Sequence, residues 1–442
     1  MTTHAPSGAA AGVAPALKRE LGRWDLTAIG VNQVIGGAVF AAPAVLAASS
    51  GAWSVWVVVA VGLASLLIAL SFAEVASRFD ATGGSYLYAR PAFGGLAAFE
   101  VGWLLWITRT TSWASVMNVL VASLGFYWPA LTAGVPRVLT MTAIVLVITA
   151  INLRGIRESS LVVNTLTIGK LTPLVVFIVA GLWFVDWSRL VPAGSPSFGQ
   201  LSATGLLMIF AFGGYETLPI VAGEARNPQR GVPFALVATI VTVTVVFALA
   251  QVVALGTLPG LAASRTPLAD ASVGFLGAAG AALMTIGAVV STTGNNLGGA
   301  LSGSRVMFAM AEQGDLPRLF ARVHPVRRTP TTAILVTSAV TFVLGVTGTF
   351  AALAEASAIS RLVTYLVTCA STLRLRDPRL ASRVAPAVFT VPFGPVIPVA
   401  AILIGLTILA GATRNQMMAG AIGLAAGAVI YWWGHRGQEG AE

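Results

Sequence analysis

The chain alternates between long apolar runs, which contain few charges, and short polar connections. A helix needs about 20 mostly apolar residues to cross the hydrocarbon core of a bilayer. Twelve runs approach or reach this length, at 26–48, 53–75, 93–124, 137–153, 161–185, 201–222, 233–257, 275–300, 331–350, 355–374, 392–412 and 417–433. The pattern therefore predicts an all-α integral membrane protein with twelve transmembrane helices.

Composition agrees with this pattern, because 56% of the 442 residues are hydrophobic and only 10% are charged. The formal net charge of +10 would by itself suit a nucleic-acid partner. The basic residues, however, collect in alternate loops, and the opposite loops hold only Arg137, Arg189, Arg265 and Arg414. Because cytoplasmic loops are enriched in Lys and Arg, we predict a protein of the cell (inner) membrane with both termini cytoplasmic. Its surroundings are then the lipid bilayer, and no nucleic acid is expected.

Several other classes of protein are excluded by what the sequence lacks. The first residues have no compact apolar core ending in a cleavage site, so 1–19 is predicted to be a disordered cytoplasmic tail. Residues 435–442 are predicted to be a cytoplasmic C-terminal tail. Cys369 is the only cysteine, which rules out a disulfide within one chain. The common metalloprotease, P-loop and serine-hydrolase motifs are missing. We expect no enzymatic activity, no cofactor and no metal.

The first predicted helix contains VIGGAVFAAP, which begins at Val34. Adjacent glycines weaken a helix and proline removes a hydrogen-bond donor, so we predict a break here. A break inside a bilayer must face protein or a water-filled cavity. The second half-helix would begin near Gly37 and Ala38 with N–H groups suited to a carboxylate, while carbonyls near Val34, Ile35 and Gly36 would suit an ammonium group. Close packing of helices against the glycines is the alternative.

The sixth predicted helix repeats this pattern. FGGYETLPIVAGEA, from Phe212, parallels IGGAVFAAPAVLAA, from Ile35. The two units are five segments apart, an odd number, so the second unit would enter the membrane from the opposite side. Discontinuous helices at matching places in two inverted halves are typical of a transporter with a site near the midplane. This predicts five-helix repeats at 20–190 and 191–385, followed by two peripheral helices at 386–434.

The second break has its own candidate residues. Phe210, Ala211 and Phe212 precede Gly213, and aromatic rings there would cover an occupied site while carbonyls accept from an ammonium group. Ordinary helix packing is the alternative. Glu216 follows at once, and acids inside a membrane are costly and usually functional. It would equally cap or brace the break.

Three cations fall inside the predicted helices. Lys170 is a candidate proton carrier, because its charged form is costly in the membrane unless it is paired. It would alternatively take the place of a sodium ion by bonding segment-one carbonyls and the hydroxyls of Ser291 and Thr292, or snorkel to the interface. Arg109 would bind an anionic group of the substrate. Alternatively, and as we favour, it would hold helices together by donating hydrogen bonds to their backbone carbonyls. Arg361 is expected to brace the bundle.

Together these stretches resemble the amino acid, polyamine and organocation (APC) superfamily of permeases, which share the LeuT-type fold. The similar sequences are VIGGAVFAAP, SFAEVASRFDATGGSYLYARPAFG, INLRGIRESS, FAFGGYETLPIVAGEARNPQRGVP and SRVMFAMAEQGDLP. The resemblance implies that the amides of Gly37 and Ala38 hold a substrate carboxylate, and that the carbonyls of Val34, Phe210 and Gly213 hold its amine. Ala38 departs from the glycine usual in the family, which narrows the carboxylate site.

The same resemblance implies further roles. Phe210 takes the place of an aromatic gate, and Glu216 that of the acid after the unwound stretch. Lys170 is similar to a lysine that occupies the sodium position in some proton-coupled members. Arg109 resembles an arginine in segment three of the related heteromeric exchanger light chains.

The sequence thus predicts a secondary active transporter of L-amino acids that works by alternating access and is coupled to protons. The alternatives are amino acid exchange without net proton coupling and permeation of polyamines or organocations. A non-transporting amino acid sensor is a further alternative, from a different functional class of protein. We expect a monomer or a homodimer whose partners are a small amino acid, protons and lipid.

Overall fold

Apolar helices joined by short connections make up most of the protein. The structure is a computed structural model, and it describes residues 17–124 and 128–439. Most of the predicted N-terminal tail and the end of the predicted C-terminal tail lie outside the described residues. Within the described ranges, the only strand-like pairing is one bridge between Leu21 and Ala225.

Sixteen α-helices occur in these ranges, numbered in chain order. The first eight are α1 (Arg23–Val34), α2 (Ala38–Ser50), α3 (Trp53–Ala76), α4 (Ser85–Phe93), α5 (Gly95–Leu124), α6 (Gly134–Arg154), α7 (Ile156–Gly181) and α8 (Phe198–Phe212). The others are α9 (Thr217–Ile220), α10 (Pro228–Thr257), α11 (Pro267–Glu312), α12 (Thr331–Thr347), α13 (Phe350–Arg374), α14 (Pro378–Ala381), α15 (Val396–Ala410) and α16 (Arg414–Glu439). Short 3-10 helices lie at Pro129–Thr132, Leu182–Phe184, Trp187–Leu190, Ala222–Glu224, Leu261–Ala263 and Arg318–Ala321.

Each predicted segment coincides with one helix or with a pair of helices, α1 with α2 and α8 with α9. Among the described residues, seven helical stretches are long and apolar enough to cross a membrane, and they lie in α3, α6, α7, α10, α11, α13 and α16. The bent pair α1 and α2 makes an eighth, whereas α12 and α15 are apolar but shorter. The chain is therefore an all-helical, multi-pass membrane protein.

One helix differs clearly from its prediction. α11 runs well beyond the segment predicted at 275–300, and it bends at Gly277, where φ is +62°. Its far end, expected to be a connection, continues as helix and places Arg305 fully inside the bundle. This is tolerated because Arg305 pairs with the equally buried Glu224, at 3.1 Å.

The most extensive helix packing joins α3 to α10, α5 to α13, and α11 to both α5 and α7. α1 packs against α7, α10 and α11, so it lies within this group. α15 and α16 lie at the periphery, where α15 contacts α3 and α13, and α16 contacts α5 and α13. The interrupted helix is therefore surrounded by long helices, as its unpaired backbone requires.

Candidate functional site

The predicted break in the first segment is present. α1 ends at Val34, α2 begins at Ala38, and their axes differ by 45°. The two glycines lie between the helices, as expected from their weak helical preference. Pro43, by contrast, lies inside α2 and does not mark the break. The glycines alone therefore locate the interruption.

The second interruption lies between α8 and α9, over residues 213–216. Gly214 has φ of +134°, and a Cβ there would lie 2.6 Å from both the carbonyl carbon and the oxygen of Gln33. Only glycine permits this close approach with that backbone conformation. The two interruptions therefore contact each other directly.

A cavity of about 210 Å³ lies beside both interruptions. Its walls include six of the expected residues, namely Val34, Gly36, Gly37, Ala38, Ala211 and Gly213. The wall is completed by Gln33, Ala41, Ser112, Val116, Val119, Asn295 and Arg361. Residues of α1, α2, α5, α8, α11 and α13 thus surround one enclosed space.

Not every expected residue of the second break lies on this wall. Phe212 is fully buried and packs edge-to-face on Phe247, with 5.2 Å between ring centroids. The side chain of Phe210 lies outside the described residues. Ile35 also turns away from the cavity, because its carbonyl bonds groups on α7 and α11.

The start of α2 presents unpaired donors to this space. The N–H groups of Gly37 and Ala38 have no hydrogen-bond partner in the described part of the chain, and no side chain caps the helix. A helix start also carries partial positive charge. Such a start can therefore bind an anionic group such as a carboxylate without a charged side chain.

The other side of the first break is held by Lys170, which is fully buried. Its Nζ donates to the carbonyls of Asn32 at 3.0 Å, Ile35 at 2.7 Å and Ser291 at 3.2 Å. A further short bond goes to the side-chain Oδ1 of Asn32. These contacts exclude snorkelling, and they place an ammonium group among four oxygens at the break.

The contacts of Lys170 differ from expectation in one detail. Ser291 offers its carbonyl to Lys170, while its hydroxyl donates to the carbonyls of Ile35 and Gly36, at 2.9 and 3.0 Å. The hydroxyl of Thr292 donates to its own helix, at Ala288 and Val289, and has no contact with Lys170. A hydroxyl within a helix readily bonds the carbonyl one turn earlier.

Side-chain amides fix α1 against α11. Gln33 Nε2 donates to the carbonyl of Asn295 at 3.1 Å, and Asn295 Nδ2 donates to the carbonyl of Gln33 at 2.7 Å. Asn32 Nδ2 likewise donates to the carbonyl of Gly294, at 3.1 Å. These polar residues stand in two otherwise apolar helices, but the sequence alone does not say which of them pair.

Glu216 anchors the second interruption. Its Oε2 accepts from the N–H of Gly214 and from the hydroxyl of Tyr365, both at 2.7 Å. Its Oε1 accepts from Arg361 Nε at 2.9 Å and forms a shorter bond with Arg109. One buried carboxylate therefore caps the break and joins it to α5 and α13.

The two arginines around Glu216 have different positions. Arg109 also donates to the hydroxyl of Thr217 at 2.9 Å, and it does not line the cavity. These contacts are those of a bracing residue, although the partners are side chains and not backbone carbonyls. Arg361 lies on the cavity wall beside Gly213. Sequence spacing did not indicate that Arg361 borders the cavity, because its partner Glu216 is 145 positions away.

A second cavity, of about 680 Å³, adjoins the first. Both cavities have Gly37, Ala41 and Val119 in their walls. The larger one extends to Arg265 and Asp270 near the start of α11. The enclosed space beside the breaks therefore continues toward one face of the bundle. No group of three His, Cys, Asp or Glu residues suited to a metal occurs among the described residues.

Comparison with known proteins gives a consistent result. A family model described as amino acid permease matches residues 21–434. The methylthioribose transporter and the branched-chain amino acid permease of Bacillus subtilis are each 29% identical to the chain, over 94% of it and 93% of their own length. The serine/threonine exchanger of the same organism is also 29% identical, over 94% of the chain and 97% of its own length.

Replacing Glu216 with Gln is expected to destabilise the protein severely. The change leaves two buried guanidinium groups without their shared counter-charge, which costs about 3–5 kcal/mol for a buried pair. Thermal unfolding of the purified protein in detergent measures the loss. Adding Arg109→Gln to Glu216→Gln removes one uncompensated charge and should recover part of the stability.

Glu312→Gln is the matched control, because this acid is exposed at the end of α11. An unchanged melting temperature for Glu216→Gln would contradict the anchoring role.

Proposed function

Because this chain belongs to the amino acid permease family, we propose that it is a secondary active transporter of L-amino acids that works by alternating access and is coupled to protons. That it is a transporter and not an enzyme follows from the family itself. The observation that supports the substrate class is the start of α2, where unpaired N–H groups border a cavity of about 210 Å³. This volume is of the size of one small molecule.

In this proposal the substrate carboxylate bonds the N–H groups of Gly37 and Ala38. The amine bonds the carbonyl of Val34, which already accepts from the N–H of Gly36 at 2.8 Å but has a second lone pair. The carbonyl of Gly213 is a poorer partner for an ammonium group, because the guanidinium of Arg361 lies beside that residue. The amine site is therefore placed on the side of α1.

Charge at the site argues against polyamines and organocations. Two guanidinium groups share the single carboxylate of Glu216 next to the cavity. A substrate with net positive charge would be repelled there, and the positive end of α2 would add to the repulsion. The relatives' substrates are branched-chain amino acids, serine and threonine, and methylthioribose, which is not an amino acid, so the side-chain preference is not transferable from them.

Proton coupling is proposed for Lys170. As an ammonium group it has three donors for the oxygens of Asn32, Ile35 and Ser291. After losing a proton it would have two donors and a lone pair that is repelled by carbonyl oxygens. Protonation therefore strengthens the link from α7 to the first break, and deprotonation loosens it beside the substrate site.

Alternating access is proposed because the space beside the breaks continues toward Arg265 and Asp270 at one face of the bundle. The larger cavity, of about 680 Å³, leads toward Arg265. The opposite end of the bundle is closed by bonds between distant segments. The N–H groups of Glu20 and Leu21 donate to the carbonyl of Glu224, and Glu224 pairs with Arg305. Transport would require this end to open as the other closes.

The proposed architecture is twelve membrane spans arranged as two inverted repeats. The first repeat, 20–190, contains the α1–α2 break, and the second, 191–385, contains the α8–α9 break. α15 and α16 follow as peripheral spans. With both termini cytoplasmic, the larger cavity, of about 680 Å³, faces the outside of the cell, since Arg265 lies in an outside loop.

Radiolabelled uptake into proteoliposomes tests the proposed function. Uptake driven by an inward proton gradient supports proton-coupled symport. Uptake that depends on amino acid loaded inside, and not on the gradient, would support exchange. Ligand binding without any flux would support a sensor and contradict the transport proposal.

Gly37→Leu is expected to abolish substrate binding. The side chain would fill the space in front of the α2 N–H groups, where Thr292 Cγ2 already lies 3.2 Å from an added Cβ. Binding is measured by the thermal shift that a saturating amino acid produces. Gly205→Leu is the control, because a Cβ at Gly205 meets nothing within 4 Å. Retained affinity in Gly37→Leu would contradict the site assignment.

Lys170→Ala is expected to uncouple uptake from pH, because no other lysine reaches the break. Uptake with and without a pH gradient is the measurement. The chain's other lysine, Lys18, has a half-exposed side chain, so Lys18→Ala should keep the wild-type pH profile. An unchanged profile for Lys170→Ala would leave Lys170 with a purely structural role.

Ala122→Cys is expected to react with a membrane-impermeant thiol reagent added outside, and saturating substrate should slow the reaction. Ala122 lines the larger cavity, of about 680 Å³. The native Cys369 is 1% exposed, so the unmodified protein should remain unlabelled. Labelling only from the cytoplasmic side would overturn the proposed orientation.

A further inference from the structure

A third cavity lies away from the substrate site, on the flank of the bundle. It has a volume of about 470 Å³ and is bounded by the end of α4 and by α5, α13, α15 and α16. Its lining is apolar except for Glu100. Because the peripheral helices α15 and α16 form one wall, this groove borders the lipid and not the substrate pathway.

Glu100 is an unusual residue for such a groove. It lies five positions after the start of α5, about 7.5 Å along the helix. Its Oε2 is buried and has no hydrogen-bond partner in the described part of the chain. Gly427 of α16 leaves room for this carboxylate, since a Cβ there would lie 2.5 Å from Oε2. A buried oxygen without a donor is costly, so the carboxylate of Glu100 would be stabilised by turning toward a donor from outside the chain.

A cation lies at the same end of the groove. Phe93, the last residue of α4, is part of the lining, and the guanidinium carbon of Arg374 lies 5.5 Å from the centroid of its ring. Arg374 is exposed at the end of α13. The groove therefore has an acid and an aromatic ring in its lining, and a base lies against that ring.

We propose that this groove binds a bilayer phospholipid with a primary ammonium head, with the ammonium on Glu100, the phosphate on Arg374 and an acyl chain along the apolar walls. Charge complementarity selects this occupant. A phosphoethanolamine head carries a cation and an anion a few ångströms apart, and its N–H groups supply a donor to the carboxylate of Glu100. The phosphate suits the guanidinium.

The hydrogen bond distinguishes this head from a choline head. Both heads are zwitterionic, but a quaternary ammonium has no N–H group to donate. A hydrogen bond to a charged group contributes about 1.5–3 kcal/mol, which corresponds to at least about tenfold in affinity. Phosphatidylethanolamine should therefore bind at least about tenfold more tightly than phosphatidylcholine with the same acyl chains.

Native mass spectrometry of the full chain in detergent, titrated with dioleoyl phosphatidylethanolamine or dioleoyl phosphatidylcholine, measures both affinities. Glu100→Gln should abolish the preference by weakening only the ethanolamine lipid. Arg374→Gln should weaken both lipids and keep their ratio, because both carry the phosphate. Glu312→Gln, a control acid outside the groove, should behave as wild type.

Equal affinities in the wild type, or a preference that survives Glu100→Gln, would overturn the proposal. If Glu100→Gln does not yield folded protein, Ala370→Phe provides the second variant. It fills the groove while leaving both charged residues in place, and it should remove one bound phosphatidylethanolamine per chain. Undiminished binding in Ala370→Phe would equally overturn the proposal.

Discussion

A helix that stops inside the hydrocarbon core must satisfy the backbone groups it frees, and this requirement shapes the centre of the bundle. At the first interruption, Lys170 and Ser291 bond the carbonyl of Ile35, and Asn295 bonds that of Gln33. The N–H groups that start α2 remain unpaired and face a cavity. The same break thus has a side completed by the protein and a side whose N–H groups are left unpaired beside the cavity.

Buried charge is used to hold distant segments together. Glu216 joins α5, α13 and the second interruption, Glu224 joins the end of α9 to α11, and Glu74 joins α3 to Arg376 after α13. Removing one partner of such a pair leaves an uncompensated charge, so each pair fixes its helices strongly. Lys170 differs because its partners are neutral oxygens of Asn32, Ile35 and Ser291.

Polar and charged groups therefore have different roles in the interior and on the flank of the bundle. In the interior, backbone groups and shared charges surround a space that opens toward one face. On the flank, Glu100 and Arg374 lie at the end of an apolar groove lined partly by the peripheral helices. The peripheral helices carry no residue of the central cavity wall, yet they complete a surface that suits a lipid head and chain.

Local sequence determined the helices, both interruptions and the family, because apolar length, paired glycines and short motifs act over a few neighbouring residues. It also indicated Gly37, Ala38 and Lys170 as site residues. Only the tertiary structure decided that Arg361 joins Arg109 on Glu216, that Phe212 packs away from the cavity, and that Ser291 contributes a carbonyl to Lys170. The contacts of Glu216 and Lys170 join residues more than a hundred positions apart, and Phe212 meets Phe247 on another helix. All of these contacts depend on how helices pack and rotate against each other, which no local pattern encodes.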